Sequence, residues 1–319
     1  MIELYAIHWS SFVEKVRWAL DYKQLEWQQI DIDAFSKKEL RQLEVERVKS
    51  YGRNVYTVPT ILDSKTDTAL SDSTPILEYL EKTYPDKPKL FPGSKDQQIE
   101  IKRVMLKLDS ELGPDARRIG YMQCIIEIPQ IIPKYFSPEI PEGSLRSWLH
   151  RVFISGVLIR RFSVHTTRQD RAFEKLEALL IPVAEKLANS LYLVGNKFSA
   201  ADLTLVALLR PLRVVPFFRE HEKLQALFDW QTRLFAQHKR EPHMLYEKMT
   251  LAQRLNVGYS LGKVPWLANK QEIPAPEDKD YDVAVNDQHY IGRKQFWMAP
   301  WFYLNLRYLS GLKKLKLTA

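Results

Sequence analysis

Two hydroxyls, Ser10-Ser11, stand where a short apolar run, Ile2 to Ile7, gives way to a helical pattern. Phe12, Val16, Ala19 and Leu20 fall at i, i+4, i+7 and i+8, one face of a helix, with Glu14, Lys15 and Arg17 interspersed. The serines therefore sit at a helix head, where free amides and a partial positive charge stabilise an anion. A serine hydroxyl placed there can donate a hydrogen bond to a thiolate and lower the pKa of the thiol. Serine is also a favoured N-cap, so capping alone accounts for the local sequence. A second candidate is Val58-Pro59, where a strand begins at a proline. A cis bond at that step exposes the Val58 backbone for pairing with an extended peptide. A third is Asp72-Ser73, at the head of another helical stretch, where hydroxyl and amides can hold a carboxylate.

The elements that must position these residues alternate along the first ninety positions. Ile2 to Ile7 suits a buried strand, and Trp27 to Ile32 reads as a second. Phe35 to Val48 reads as a highly charged helix. Val58 to Leu62 and Thr66 to Leu70 look like strands joined by a polar turn at Asp63-Ser64, and Ser73 to Tyr84 returns to helical spacing. The order β-α-β-α-β-β-α argues for helices layered on a mixed sheet. Turn formers at Pro85-Asp86-Lys87-Pro88 and Phe91-Pro92-Gly93 mark a linker. From Gln97 to about Leu255 the pattern is almost entirely helical. Its sharpest signal is Phe198-Ser199-Ala200-Ala201-Asp202-Leu203: Ser199 caps the N3 amide, Asp202 reaches back, and Phe198 staples against Leu203.

Composition sets the outer bounds. The 319 residues, 45% hydrophobic and 27% charged, are those of an ordinary globular protein of about two domains. One cysteine, Cys124, closes no intramolecular disulfide and excludes a Cys-based zinc site, an iron–sulfur cluster and a dithiol pair. His150, His165, His221, His238 and His243 show no metal-ligand spacing, so no metal is expected. The N-terminal residues lack a secretory pattern, and no apolar stretch reaches the ~18–20 residues of a spanning helix, so a cytoplasmic location is expected. The net charge of +8 is spread along the chain without a nucleic-acid-binding signature, so no nucleic acid is expected. The exception is the end of the chain, with six Lys or Arg and no acid after Asp287.

Together the three elements, with fourteen residues from Pro59 to Ser73, resemble the cytosolic glutathione transferases over nearly the whole of residues 1–250. The resemblance implies an α/β thioredoxin-like, glutathione-binding domain over residues 1–88, an all-helical domain over 96–256, and a C-terminal extension, 257–319. Ser10 takes the family's catalytic place, with Ser11 as the alternative one position on. Val58, Pro59, Asp72 and Ser73 look like the residues that hold the glutathione backbone and its γ-glutamyl group. Arg47, Lys49 and Arg53 each offer a cation for the glycyl carboxylate, and Arg53 is carried forward as the candidate. Thiol-transferring classes such as omega carry cysteine followed by Pro-Phe where this chain has Ser10-Ser11-Phe12. The chemistry implied is activation of bound glutathione as a thiolate, which then attacks an apolar or aromatic electrophile. Conjugation, reductive dehalogenation, ether cleavage and isomerisation all fit that scaffold. The resemblance also implies a homodimer.

Other features have plainer readings. Tyr5, inside the first strand, reads as a packed tyrosine rather than the hydroxyl of a tyrosine-type transferase. His8 and Trp9 adjoin the serines and either line the electrophile pocket or pack structurally. The aromatic segment 296–309 either folds back over the body or, with Lys313, Lys314 and Lys316, lies on an anionic membrane or a partner. The alternative to an enzyme is a non-catalytic binding or scaffold protein of the same fold, using this tail for partner or membrane-surface contact.

Overall fold

The computed structural model describes residues 1–238 apart from 8, 33–35, 44, 51–52, 127–143 and 163–165. The expectations for the extension, His8, Phe35 and His243 therefore lie outside the described residues, as does the Cys124 side chain. The chain forms two compact units. The first contains Met1–Pro114, Val183–Arg210 and the described residues from 229 onward; the second contains Asp115–Pro182 and Pro211–Phe228.

In the first unit β1 (Ile2–Ala6) runs parallel to β2 (Trp27–Asp31), joined by α1 (Ser11–Tyr22). Parallel neighbours need such a crossover. Ile2, Leu4 and Ala6 alternate into the core while Glu3 and Tyr5 face the other way, the period-2 pattern of a strand with one buried face. After α2 (Lys38–Gln42) come two short antiparallel strands, β3 (Val48–Ser50) and β4 (Arg53–Val55). The helix expected over 35–48 is thus confined to its middle, and Val48 belongs to a ribbon. β5 (Thr60–Asp63) then pairs antiparallel with β1 and with β6 (Thr68–Ser71), giving the sheet order β2-β1-β5-β6. The Asp63 carboxylate closes the β5–β6 turn by accepting the Lys65 amide at 3.0 Å. It also accepts the phenols of Tyr79 at 2.7 Å and Tyr84 at 2.5 Å, both from α3 (Ser73–Thr83) or its end.

The stretch between α3 and α4 (Lys95–Glu111) is pinned rather than loose. Glu81 accepts the Leu90 amide at 2.9 Å and the Phe91 amide at 3.3 Å. Lys23, 0% exposed, donates to Glu81 at 2.9 Å and to the Pro88 carbonyl at 3.1 Å. Leu90 in turn accepts the Ala200 amide at 2.7 Å, docking the linker on the head of the apolar helix Ala200–Leu209. At that head Asp202 reaches back to the Ser199 amide at 2.9 Å and takes the Ser199 hydroxyl at 2.7 Å. Its other oxygen accepts the Leu193 amide at 2.7 Å. Burial of Asp202 pushes its carboxyl up to about 6 against those three donors.

The second unit holds most of α5 (Gly113–Ile126), then α6 (Leu145–Phe162) and the first part of α7 (Thr166–Ala188). Asp115 binds Arg118 at 2.5 Å and Lys175 at 2.9 Å, and Phe173 stacks on Phe218 with centroids 5.2 Å apart. Gly120 lies close against Pro211: a Cβ there would lie 2.7 Å from the Cβ of Pro211 and 3.1 Å from its carbonyl oxygen. Among the described residues no helix is long and apolar enough to cross a membrane.

Candidate active site

Strand pairing brings two of the three sequence elements side by side. Thr60 lies opposite Ser71 across β5–β6, and their hydroxyls meet at 2.7 Å. One residue outward the Asp72 amide donates to the Pro59 carbonyl at 3.0 Å. The Val58-Pro59 peptide bond is cis. Register therefore sets the cis-proline beside the first turn of α3, although Pro59 and Asp72 are thirteen positions apart. Asp72 precedes α3 with φ 79°, a left-handed backbone uncommon for a residue with a side chain. Burial raises its carboxyl, while the Thr74 and Ser73 amides and the Lys15 ammonium pull the other way. Ser73 is 1% exposed, and its buried hydroxyl has no hydrogen-bond partner among the described residues. Buried hydroxyls nearly always find one, so this atom has an unused donor and acceptor at a helix head.

Ser10 caps α1 in extended backbone, its hydroxyl accepting the Val13 amide at 3.4 Å. That bond uses the oxygen's lone pair and leaves the hydroxyl proton available to an anion. Ser11 is the first residue of the helix. Phe12 packs closely on the start of α5: a Cβ on Gly113 would lie 2.6 Å from the tip of the ring, so the ring would have to shift. Tyr5 donates to Glu3 at 2.7 Å, and burial followed by that carboxylate pushes the phenol up to about 12. The phenol is thus held by its strand neighbour Glu3, on the face away from Ile2, Leu4 and Ala6. Arg53 opens β4; its side chain, like that of Lys49, lies outside the described residues. Arg47 has its guanidinium 5.1 Å from the Tyr56 ring centroid.

The local pattern did not reveal the charged residues on the inner side of α1. Glu14, Lys15 and Arg17 are as buried as Val13 and Val16. Arg17 donates to Gln29 of β2 at 2.8 Å and 2.5 Å and to Glu14 at 3.2 Å, and Arg210 reaches the same Glu14 oxygen at 2.9 Å. Lys15 binds Asp109 of α4 at 2.6 Å and Thr74 of α3 at 3.1 Å. Thr74 closes the triangle, donating to the same Asp109 oxygen at 2.7 Å. Burial lowers the Lys15 pKa, and Asp109 and Asp72 oppose that. Among the described residues no three His, Cys, Asp or Glu side chains cluster as metal ligands.

Two family models match the chain. The glutathione S-transferase N-terminal domain covers residues 4–88 and the C-terminal domain covers 147–238, together more than half of the 319 residues. The chain belongs to the glutathione S-transferase family. Its first unit carries the thioredoxin-like mixed sheet of that family, and helices make up its C-terminal part. Solved structures of similar fold include a glutathione transferase of Phanerochaete chrysosporium, GSTFuA3, at 24% identity. It covers 74% of this chain and 96% of that one, with a TM-score of 0.53. The beta-etherase LigF of a Sphingobium strain matches at 22% identity over 74% and 95% of the two chains, TM-score 0.55. A glutathione S-transferase of Ceriporiopsis subvermispora, solved in complex with glutathione, matches at 21% over 76% and 98%, TM-score 0.52. At these identities the likeness is one of fold. No curated protein sequence matches the chain.

Proposed function

We propose that this member of the glutathione S-transferase family is an enzyme of serine type that binds glutathione as co-substrate, without a metal, and activates its sulfur as a thiolate. The carrying observation is the buried Ser73 hydroxyl at the head of α3, without a hydrogen-bond partner among the described residues and held beside the cis Val58-Pro59 step by the Asp72 to Pro59 hydrogen bond. In this reading Ser73, the α3 amides and Asp72 hold the γ-glutamyl group, and the Val58 backbone pairs with the peptide. Ser10 donates its free proton to the sulfur at the positive end of α1, with Ser11 as the alternative, and Arg53 takes the glycyl carboxylate. Preorganised donors aimed at a developing anion are the largest common source of rate enhancement. The domain limits 1–88, 96–256 and 257–319, a homodimeric assembly and a cytoplasmic setting belong to the same reading. The helical domain would supply an apolar or aromatic electrophile with its binding surface.

Isothermal titration with glutathione tests the first half: a folded protein that takes up none sinks the reading. Ser10→Ala tests the second, with turnover of an activated aryl halide falling by about 10²–10³, as when one oxyanion donor is removed, and glutathione affinity largely kept. Unchanged turnover in Ser10→Ala moves the role to Ser11, which Ser11→Ala then checks.

A further inference from the structure

The Lys15 ammonium is fully buried, yet its two partners come from two other helices, Thr74 in the first turn of α3 and Asp109 in α4. We propose that Lys15 is a positioning residue of the glutathione site, clamping Thr74 and Asp109 so that Ser73, one residue away, is held where the γ-glutamyl carboxylate must dock. The proposal rests on the glutathione-binding reading above.

Three observations carry it beyond an ordinary structural ion pair. Lys15 lies on the same helix as Ser10, five residues on, so one clamp references both ends of the site to α1. Thr74 accepts from Lys15 and donates to Asp109, which fixes its hydroxyl and with it the turn that presents Ser73. The second Asp109 oxygen is buried with no hydrogen-bond partner among the described residues, so that carboxylate is oriented through its other oxygen by Lys15 and Thr74. Charge points the same way. Asp72 and Asp109 both act electrostatically on Lys15, and Asp109 also raises the carboxyl of Asp72. Taking away the ammonium leaves two acids beside a hydroxyl that must receive a carboxylate, and like charges at short range in a buried setting repel strongly.

The test compares wild type, Lys15→Met, Thr74→Val and the double variant Lys15→Met/Asp109→Asn. Glutathione Kd is measured by isothermal titration and KM and kcat with an activated aryl halide, each corrected for the folded fraction from thermal melts. Lys15→Met should raise Kd and KM by about tenfold or more and lower kcat at saturation by a clearly smaller factor, because the Arg17 bonds to Gln29 still tie α1, with Ser10 at its head, to β2. The double variant removes one acid with the cation and should recover part of the lost affinity. A merely structural ion pair predicts a smaller active fraction with KM unchanged. Should Lys15→Met fail to fold, Thr74→Val, which swaps a hydroxyl for a methyl, decides: a Kd raised a few-fold supports the clamp, and a wild-type Kd overturns it. Wild-type Kd in a folded Lys15→Met overturns the clamp and leaves the glutathione reading standing. Absence of glutathione binding in the wild type overturns both.

Discussion

Asp202 is a buried carboxylate whose pKa sits at the balance of two opposed effects, so its contribution to stability should change with pH in a way that can be isolated. Its oxygens accept the Leu193 amide, the Ser199 amide and the Ser199 hydroxyl, all at 2.7–2.9 Å, which favours the ionised form. Complete burial favours the neutral form and prevails, raising the carboxyl from 3.8 to about 6. An acid raised in the fold binds its proton more tightly there than in the unfolded chain. Its stabilising contribution is therefore full below pH ~4 and declines as pH rises through about 6. A rise of about two units corresponds to ~3 kcal/mol, since each unit is worth 1.36 kcal/mol. Asp202→Asn keeps the shape, removes the titration and presents an NH₂ to one or two of the three donors, a loss of about 1–3 kcal/mol. Urea unfolding followed by circular dichroism, on both proteins from pH 4 to 7.5, gives the gap between them at each pH. That difference cancels every other titrating group. The gap should be widest near pH 4 and shrink by up to ~3 kcal/mol towards pH 7. A gap that is flat, or that widens as pH rises, would refute the reasoning, because the three donors would then outweigh burial.

Other groups give independent tests. Asp63 behaves oppositely: burial raises it, but the Tyr84 and Tyr79 phenols and the Lys65 amide outweigh burial and leave it lowered. Its contribution is present above the ordinary carboxylate range and lost as pH falls through the folded value, so Asp63→Asn should flatten the acid limb of a pH–stability profile. Glu81→Ala takes the carboxylate from the fully buried Lys23 and leaves its ammonium on the Pro88 carbonyl, whereas Lys23→Met leaves a part-exposed Glu81 still bound by two amides. The first should cost about 3–5 kcal/mol and clearly more than the second, measured by denaturant unfolding. Gly120→Ala drives a Cβ against Pro211, including its rigid backbone carbonyl, and should cost about 1–3 kcal/mol, seen as a lower melting temperature.

The parts legible in the sequence were those fixed by short-range rules. Alternation marks β1, i/i+4 spacing marks α1, and a Ser-x-x-Asp signal marks the helix at Ala200 because the Asp202 bonds are local. The juxtaposition of Val58-Pro59 with Asp72-Ser73 was also within reach, since a hairpin of known ends brings its flanks together. The β3–β4 ribbon was not. Its strands are three residues each, and the charged run before them carries a helical composition that ends sooner than its pattern suggests.

The harder failure concerns the charges of α1, and it has a physical cause. A helical wheel assigns Glu14, Lys15 and Arg17 to solvent because an unpaired buried charge costs several kcal/mol. That rule holds only until a partner arrives, and the partners here are Gln29, Thr74, Asp109 and Arg210, up to 196 positions along the chain from Glu14. No window of local sequence contains them. The consequence for function follows directly. A helix whose charged residues were solvated would be free to slide on its apolar face, whereas α1 is keyed to β2, α3 and α4 by directional bonds. Ser10 at its head inherits that fixity, and a thiolate-stabilising hydroxyl is only as effective as its position is invariant. The residues that do the chemistry can be read from their types, but the precision they need is supplied by charges that look, in sequence, like ordinary surface.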